Sequence, residues 1–122
     1  VQTCALPIYP NISSGFPGTG FVLSLAVSES TVFAGGSFYF VGDSTRTNLA
    51  AIGRVTATAA GNWMPSPSGG VTAMVLTNSV LYIGGGFVQV RQPNGLFVQR
   101  NYLAAIDRGT GGPTAWNPSP DG

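Results

Sequence analysis

Val71–Phe87 reads VTAMVLTNSVLYIGGGF, and Val22–Phe38, 49 residues earlier, reads VLSLAVSESTVFAGGSF. Each stretch is an apolar run, a tight polar connection, a second apolar run, a glycine pair and a phenylalanine. Thr31, Val32 and Phe33 in one copy, and Val80, Tyr82 and Ile83 in the other, are β-branched or aromatic, which favours strand over helix. The glycine pairs permit positive φ or close backbone approach where side chains would collide. One supersecondary unit written twice in 122 residues points to a repeat architecture.

The correspondence runs beyond the hairpin. Val41 matches Val90 at the same displacement, and RTNLAAIGR at 46–54 then matches RNYLAAIDR at 100–108, displaced by 54. WMPSP at 63–67 matches WNPSP at 116–120, displaced by 53. Five extra residues therefore lie between Val90 and Arg100. A unit of about 50 residues has the length of a four-stranded propeller blade of the kelch type. The expected fold is all-β: two consecutive four-stranded antiparallel blades of a β-propeller, at 21–69 and 70–122. A propeller closes with about four to eight blades, so the chain reads as an incomplete fragment of a larger one.

Within the first unit the expected strands are Phe21–Val27, Thr31–Gly35, Leu49–Arg54 and Ala59–Met64; within the second, Val71–Leu76, Val80–Gly84, Tyr102–Asp107 and Pro113–Trp116. By the period of two, Leu23, Leu25 and Val27 share one face of the first strand and Val22, Ser24 and Ala26 the other. Neither face is strongly polar, as befits a strand covered by neighbours on both sides. Phe38 is the expected anchor between blades, and 41–47 a loop. Pro65 and Pro67 end the fourth strand because proline has no N–H to donate. Strand alternation places 42–47, 64–70, 91–101 and 117–122 on one face of a disk and the remaining turns on the other. The end blades are expected to expose apolar faces and open edges, so that the chain alone associates.

Two segments lie outside the repeat. Val1–Ile8, VQTCALPI, fits no strand and resembles the translation of a sequencing-adapter oligonucleotide, so it is excluded from fold reasoning, and the single Cys4 with it. Residues 9–20 are a connector rich in Gly, Pro and Ser, or the tail of a preceding blade.

Composition narrows function by exclusion. Charged residues make 7% of the chain, against roughly 25% in ordinary globular domains. Five basic and four acidic residues give a net charge of +1, with neither the basic patch that nucleic acid requires nor one that would hold an anionic membrane. No apolar run approaches the roughly 20 residues of a membrane span. Histidine is absent, which removes the commonest general base and metal ligand. The four acids sit in turns or at strand ends. Asp43 and Asp121 could share a calcium ion, but two carboxylates without a loop pattern make thin support. The glycine pairs precede no helix and form no phosphate cradle. The reading is therefore a non-enzyme without cofactor or resident metal.

Candidate binding residues come from the loops. Arg46 and Arg100 recur at matching places and could grip a carboxylate or sugar hydroxyls; the competing reading has each donate to carbonyls of its own unit, and a residue that recurs with the repeat usually serves the repeat. Trp63 and Trp116 divide the same way, between unit-to-unit packing and a sugar platform, with packing favoured. Symmetry is broken by the five-residue insertion within RQPNGLFVQ, Arg91–Gln99, where Asn94-Gly95 favours a type I′ turn and Leu96 and Phe97 stand beside it. The candidate ligand-facing set is Arg46, Arg91, Asn94, Phe97 and Arg100.

The pattern A-V-S-x-S-T-V-F-A-G-G-S-F-x-x-V-G, R-x-N-L-A-A-I and W-x-P resembles the delta-60-type repeat of bacterial secreted and surface β-propellers. That resemblance implies a propeller and an extracellular or cell-surface location, and it implies no activity. Leu81-Tyr82-Ile83-Gly84-Gly85 is similar to the kelch core without its following Tyr and Trp. Asp107-Arg108-Gly109-Thr110-Gly111 before Trp116 resembles the tryptophan-docking motif of quinoprotein propellers, with one residue more between Gly and Trp. The expected function is a non-catalytic binding, adhesion or scaffolding module. Its partners are neighbouring blades of its parent chain and an extracellular protein or glycan. The rival is a piece of a quinoprotein- or lyase-like propeller enzyme whose catalytic residues lie on other blades.

Overall fold

A computed structural model describes residues 20–120 together with a short strand at Ile12–Ser13. Two three-stranded antiparallel sheets dominate it. The first is ordered β2 (Phe21–Val27), β3 (Thr31–Ser37), β6 (Leu49–Gly53); the second is β7 (Val71–Leu76), β8 (Val80–Gly85), β11 (Leu103–Asp107). Between the second and third strand of each, the chain makes a small excursion. In the first half it is the hairpin β4 (Phe40–Val41) and β5 (Ser44–Thr45), to which β1 (Ile12–Ser13) adds a third strand; in the second it is β9 (Gln89–Arg91) with β10 (Phe97–Gln99). Among the described residues there is no helix long and apolar enough to cross a membrane.

Sequence-equivalent positions carry the same geometry. β3 meets β6 from Thr31↔Gly53 to Gly35↔Leu49, and β8 meets β11 from Val80↔Asp107 to Gly84↔Leu103. The first strand of each sheet has a register irregularity at the same point, between Val22 and Ser24 and between Val71 and Ala73. Ser28 caps its turn by accepting the N–H of Thr31 and donating to its carbonyl, and Thr77 does the same to Val80. Even the left-handed backbone positions pair: Asn48 with Tyr102, Ala57 with Gly111, Ser66 with Ser119. A positive φ is uncommon outside glycine, so its recurrence at two matched non-glycine pairs, with Ala57 and Gly111 as a third place, reflects one backbone path written twice. Gly36 and Gly85 are required at matched places, since a Cβ on either would overlap the carbonyl oxygen of Phe21 or of Gly70.

Three expectations need correction. The fourth strand of each unit shrinks to one bridge, Ile52↔Ala59 and Ile106↔Pro113, so the sheets have three strands rather than four. In the first half the turn at Gly61-Asn62 breaks the ladder; in the second, Pro113 brings no N–H to it. Residues 41–47 hold a hairpin, turned at Gly42 with φ 59°, too short to show a period of two. The irregularity at Leu23 shifts the alternation, so Val22 stands opposite Gly36 and Leu25 opposite Ala34. Val22 and Leu25 therefore share a face, while Ser24 and Ala26 take the other.

The main core lies between the sheets. Phe33, Leu49 and Ala51 of the first sheet and Leu81, Ile83, Ala104 and Ile106 of the second are buried in one cluster, closed by Trp63. The alternate residues of the first sheet, Ala34, Ala50 and Ile52, form a second cluster with Phe38 and Val41 on its other face. Phe38 is 1% exposed and pins the hairpin to its own half rather than joining the two halves. Phe87 and Val90, at the corresponding places of the second half, lie instead in the main cluster between the two sheets. Burying one such ring stabilises by about 1.5–3 kcal/mol. The outer faces are open: Leu25 and Val27 on the first sheet, Val75 and Tyr82 on the second, with Trp116 against Tyr82.

Candidate functional site

Arg46 emerges after β5, and its guanidinium turns inward. One terminal nitrogen donates to the Thr45 carbonyl at 2.7 Å, the other to the carbonyls of Ala60 and Gly61 at 2.6 and 2.8 Å. Burial lowers its pKa from the ordinary arginine value, and its Nε is buried without a partner among the described residues. Arg100 repeats the arrangement, donating to Gln99 at 2.7 Å and to Thr114, the counterpart of Ala60, at 2.8 Å. Both side chains thus tie the excursion of their half to the chain that follows the third strand. Planar guanidinium suits this bridging of divergent carbonyls.

Arg91, Asn94 and Phe97 share the β9–β10 hairpin with Arg100, whereas Arg46 belongs to the other half. The Asn94 side chain accepts the N–H of Leu96 at 2.9 Å and so shapes the tip, where Gly95 has φ 93°. Arg91 donates its backbone N–H to Pro65, which fastens β9 to the segment joining the halves. Leu96 and Phe97 stay exposed. The tip folds toward its own half: a Cβ on Gly112 would stand 2.8 Å from the ring of Pro93. Gln92, Pro93 and Asn94 line a cleft of about 550 Å³ with Asp107, Thr110 and Thr114. The 91–101 loop and the 107–112 turn, assigned to opposite faces by strand alternation, therefore meet, because five extra residues give the hairpin the reach to fold over.

The best-organised site is the seat of Trp63. Its indole N–H donates to the Arg108 carbonyl at 3.0 Å, across the junction of the halves. Gly111, at φ 78°, brings backbone against the ring: a Cβ there would stand 3.1 Å from the indole Cγ. Phe33 packs on Trp63 with centroids 5.3 Å apart, and the Arg108 guanidinium lies 5.8 Å from the Phe33 centroid, within cation–π range. Asp107 organises this turn. Its carboxylate accepts the N–H groups of Gly109 and Thr110 at 2.8 and 3.0 Å, and these bonds, that of Thr110 foremost, hold its pKa below the ordinary carboxylate value. The motif at Asp107–Gly111 thus docks a tryptophan, but Trp63 rather than the nearby Trp116.

Trp116 is in contact with Tyr82, edge to face at 5.3 Å, the counterpart of the Trp63–Phe33 pair, yet it is 44% exposed where Trp63 is 5%. Sequence reasoning paired the tryptophans but missed their unequal burial, which depends on what stands against each half. Arg54 mirrors Arg108: each donates from one guanidinium nitrogen to two turn carbonyls, those of Ser28 and Glu29 in one case and of Thr77 and Asn78 in the other. Among the described residues no group of three or more His, Cys, Asp or Glu comes together to hold a metal. Of the Asp43/Asp121 pair, Asp121 lies outside the described residues, as does Cys4. No family model, curated protein or solved structure matches the chain.

Proposed function

We propose that the chain is a pair of successive β-propeller blades that serves as a non-catalytic binding or scaffolding module of a secreted or cell-surface bacterial protein. The observation that carries the blade reading is the matched geometry of the two sheets, register for register and bend for bend, with the face of one packed on the face of the other. The scaffolding reading is supported by the use made of the recurring polar groups: Arg46, Arg100, Arg54 and Arg108 all donate to backbone carbonyls of the protein itself. The binding surface is the β9–β10 hairpin, where Leu96 and Phe97 stand in solvent on a braced scaffold. Its ligand is an extracellular protein or glycan met by apolar and aromatic contact, with the half-buried Arg91 at its base.

A glycan array and pull-down with the full chain test this. Retention of a glycan or protein ligand, weakened tenfold or more by Phe97→Ala with the melting temperature unchanged, is the expected result. Turnover of a substrate by the chain, or retention indifferent to Phe97→Ala, would overturn it.

A further inference from the structure

We infer that the open face of the first sheet is a tryptophan seat, and that its occupant is Trp116 of a second copy of this chain, docked head to tail. The inference rests on the blade reading above and adds a partner to it.

An apolar groove of about 300 Å³ runs along the first sheet, lined by Leu25, Val32, Ala34, Ile52, Arg54 and Ala57 among others. Carried to the second half, these positions are Met74, Leu81, Ile83, Ile106, Arg108 and Gly111. Those residues meet the first sheet and Trp63: Leu81, Ile83 and Ile106 lie in the cluster that contains Trp63, Met74 packs against it, Arg108 accepts the indole N–H and Gly111 backs the ring. The groove is therefore the same seat without its tryptophan. Its backbone is already set, because Ala57 holds φ 57° where Gly111 holds 78°. Ala57 carries a methyl group that Gly111 lacks. Val32 and Ala34 are smaller than Leu81 and Ile83, and they return the depth which that methyl takes away.

The matching plug is on the other side of the molecule. Trp116 and Tyr82 form the pair that Trp63 and Phe33 form inside, and Trp116, Tyr82 and Val75 are exposed. Seated in a second copy, Trp116 would donate to the Arg54 carbonyl, and the Arg54 guanidinium would lie over Tyr82 as Arg108 lies over Phe33. One chain thus offers both halves of an interface whose fit is demonstrated within itself. The two surfaces differ, so the contact is heterologous: each docking leaves one groove and one tryptophan unused, and the series ends only by closing a ring.

Sedimentation velocity and light scattering on the full chain, with Trp116→Ala and Leu25→Arg, test this. Both sites are exposed, so neither change disturbs the fold, which the thermal melt monitors. The wild-type chain is expected to form a discrete oligomer and each variant to remain monomeric. Mixed one to one, the variants should form a heterodimer and nothing larger, since Trp116→Ala keeps the groove and Leu25→Arg keeps the tryptophan. A wild-type monomer at high concentration, as when another segment fills the groove, would overturn the inference. So would an oligomer indifferent to Trp116→Ala, or a mixture that stays monomeric. Trp63→Ala separates this failure from failure of the blade reading: a large drop in melting temperature with a monomeric wild type sinks only the second copy, whereas an unchanged melt sinks the packed-blade reading as well.

Discussion

Trp63 and Trp116 occupy the same place in two halves of one design, and only one of them is covered. Trp63 has its indole N–H bonded, an aromatic neighbour at 5.3 Å and a glycine turn behind it. Trp116 has the aromatic neighbour alone. Burial here is set by what stands across from a residue, and closely matched local sequences reach different energies for that reason. Trp63→Ala should therefore cost about 3–5 kcal/mol, the range for deleting a buried large aromatic side chain. Trp116→Ala should cost the chain well under that, about 0.5–1 kcal/mol, mostly from its contact with Tyr82. Urea denaturation of both variants under monomeric conditions measures the difference, and equal losses would break the comparison.

The arginines and glycines sharpen it. Arg46 bridges three carbonyls from a buried position, while Arg100 bridges two from a half-buried one. Charged hydrogen bonds contribute about 1.5–3 kcal/mol each where water is excluded. Arg46→Ala is expected to lose about 2–3 kcal/mol and Arg100→Ala about 1 kcal/mol by the same denaturation measurement. Arg46→Lys should rescue little, because one ammonium group cannot span the Thr45 and Gly61 carbonyls. Gly35 and Gly84 differ in the same sense. A Cβ on Gly35 would come 2.7 Å from Val71 and Met74 across the junction, but on Gly84 only 3.4 Å from Leu103 on the open face. Gly35→Ala should thus destabilise by about 1–2 kcal/mol through overpacking. Gly84→Ala should be neutral or slightly stabilising, since alanine loses less backbone freedom on folding.

Much of this was legible in the sequence. The alternation of apolar residues and the glycine pairs locate β2, β3, β7 and β8 within two residues, and the repeated LAAI marks β6 and β11. The two-residue strands β4 and β5 escape any periodicity, and the lost fourth strand follows from Gly61-Asn62 and Pro113, both visible but outweighed by the expectation of a full blade. The candidate set behaves likewise. Arg46 and Arg100 both donate to carbonyls of their own half, and recurrence alone cannot separate bracing from binding. The partner of Trp63 lies 45 residues away and depends on the packing of two sheets, which local pattern does not encode. Only Asp107–Gly111, a turn whose residues repeat imperfectly in the first half, hinted at it.

That imperfection gives the smallest and most selective contrast. Asp107 fastens the seat of Trp63 through the N–H groups of Thr110 and Gly109, whereas its counterpart in the first half is Gly53, with no carboxylate. Because these bonds favour the ionised form, the folded pKa lies below the unfolded one. The stabilisation is then fully present above the unfolded value, roughly pH 4, and is lost as pH falls through the folded value. Acid should loosen the 107–111 turn and with it the indole bond to Arg108, while the turn at 53–57 is left unaffected. Trp63 emission, read in a Trp116→Phe background, should shift to the red below about pH 4. Asp107→Asn should weaken that acid transition while keeping an acceptor for the same N–H groups. A transition of equal size in Asp107→Asn would assign it to another carboxylate and leave the two turns equivalent.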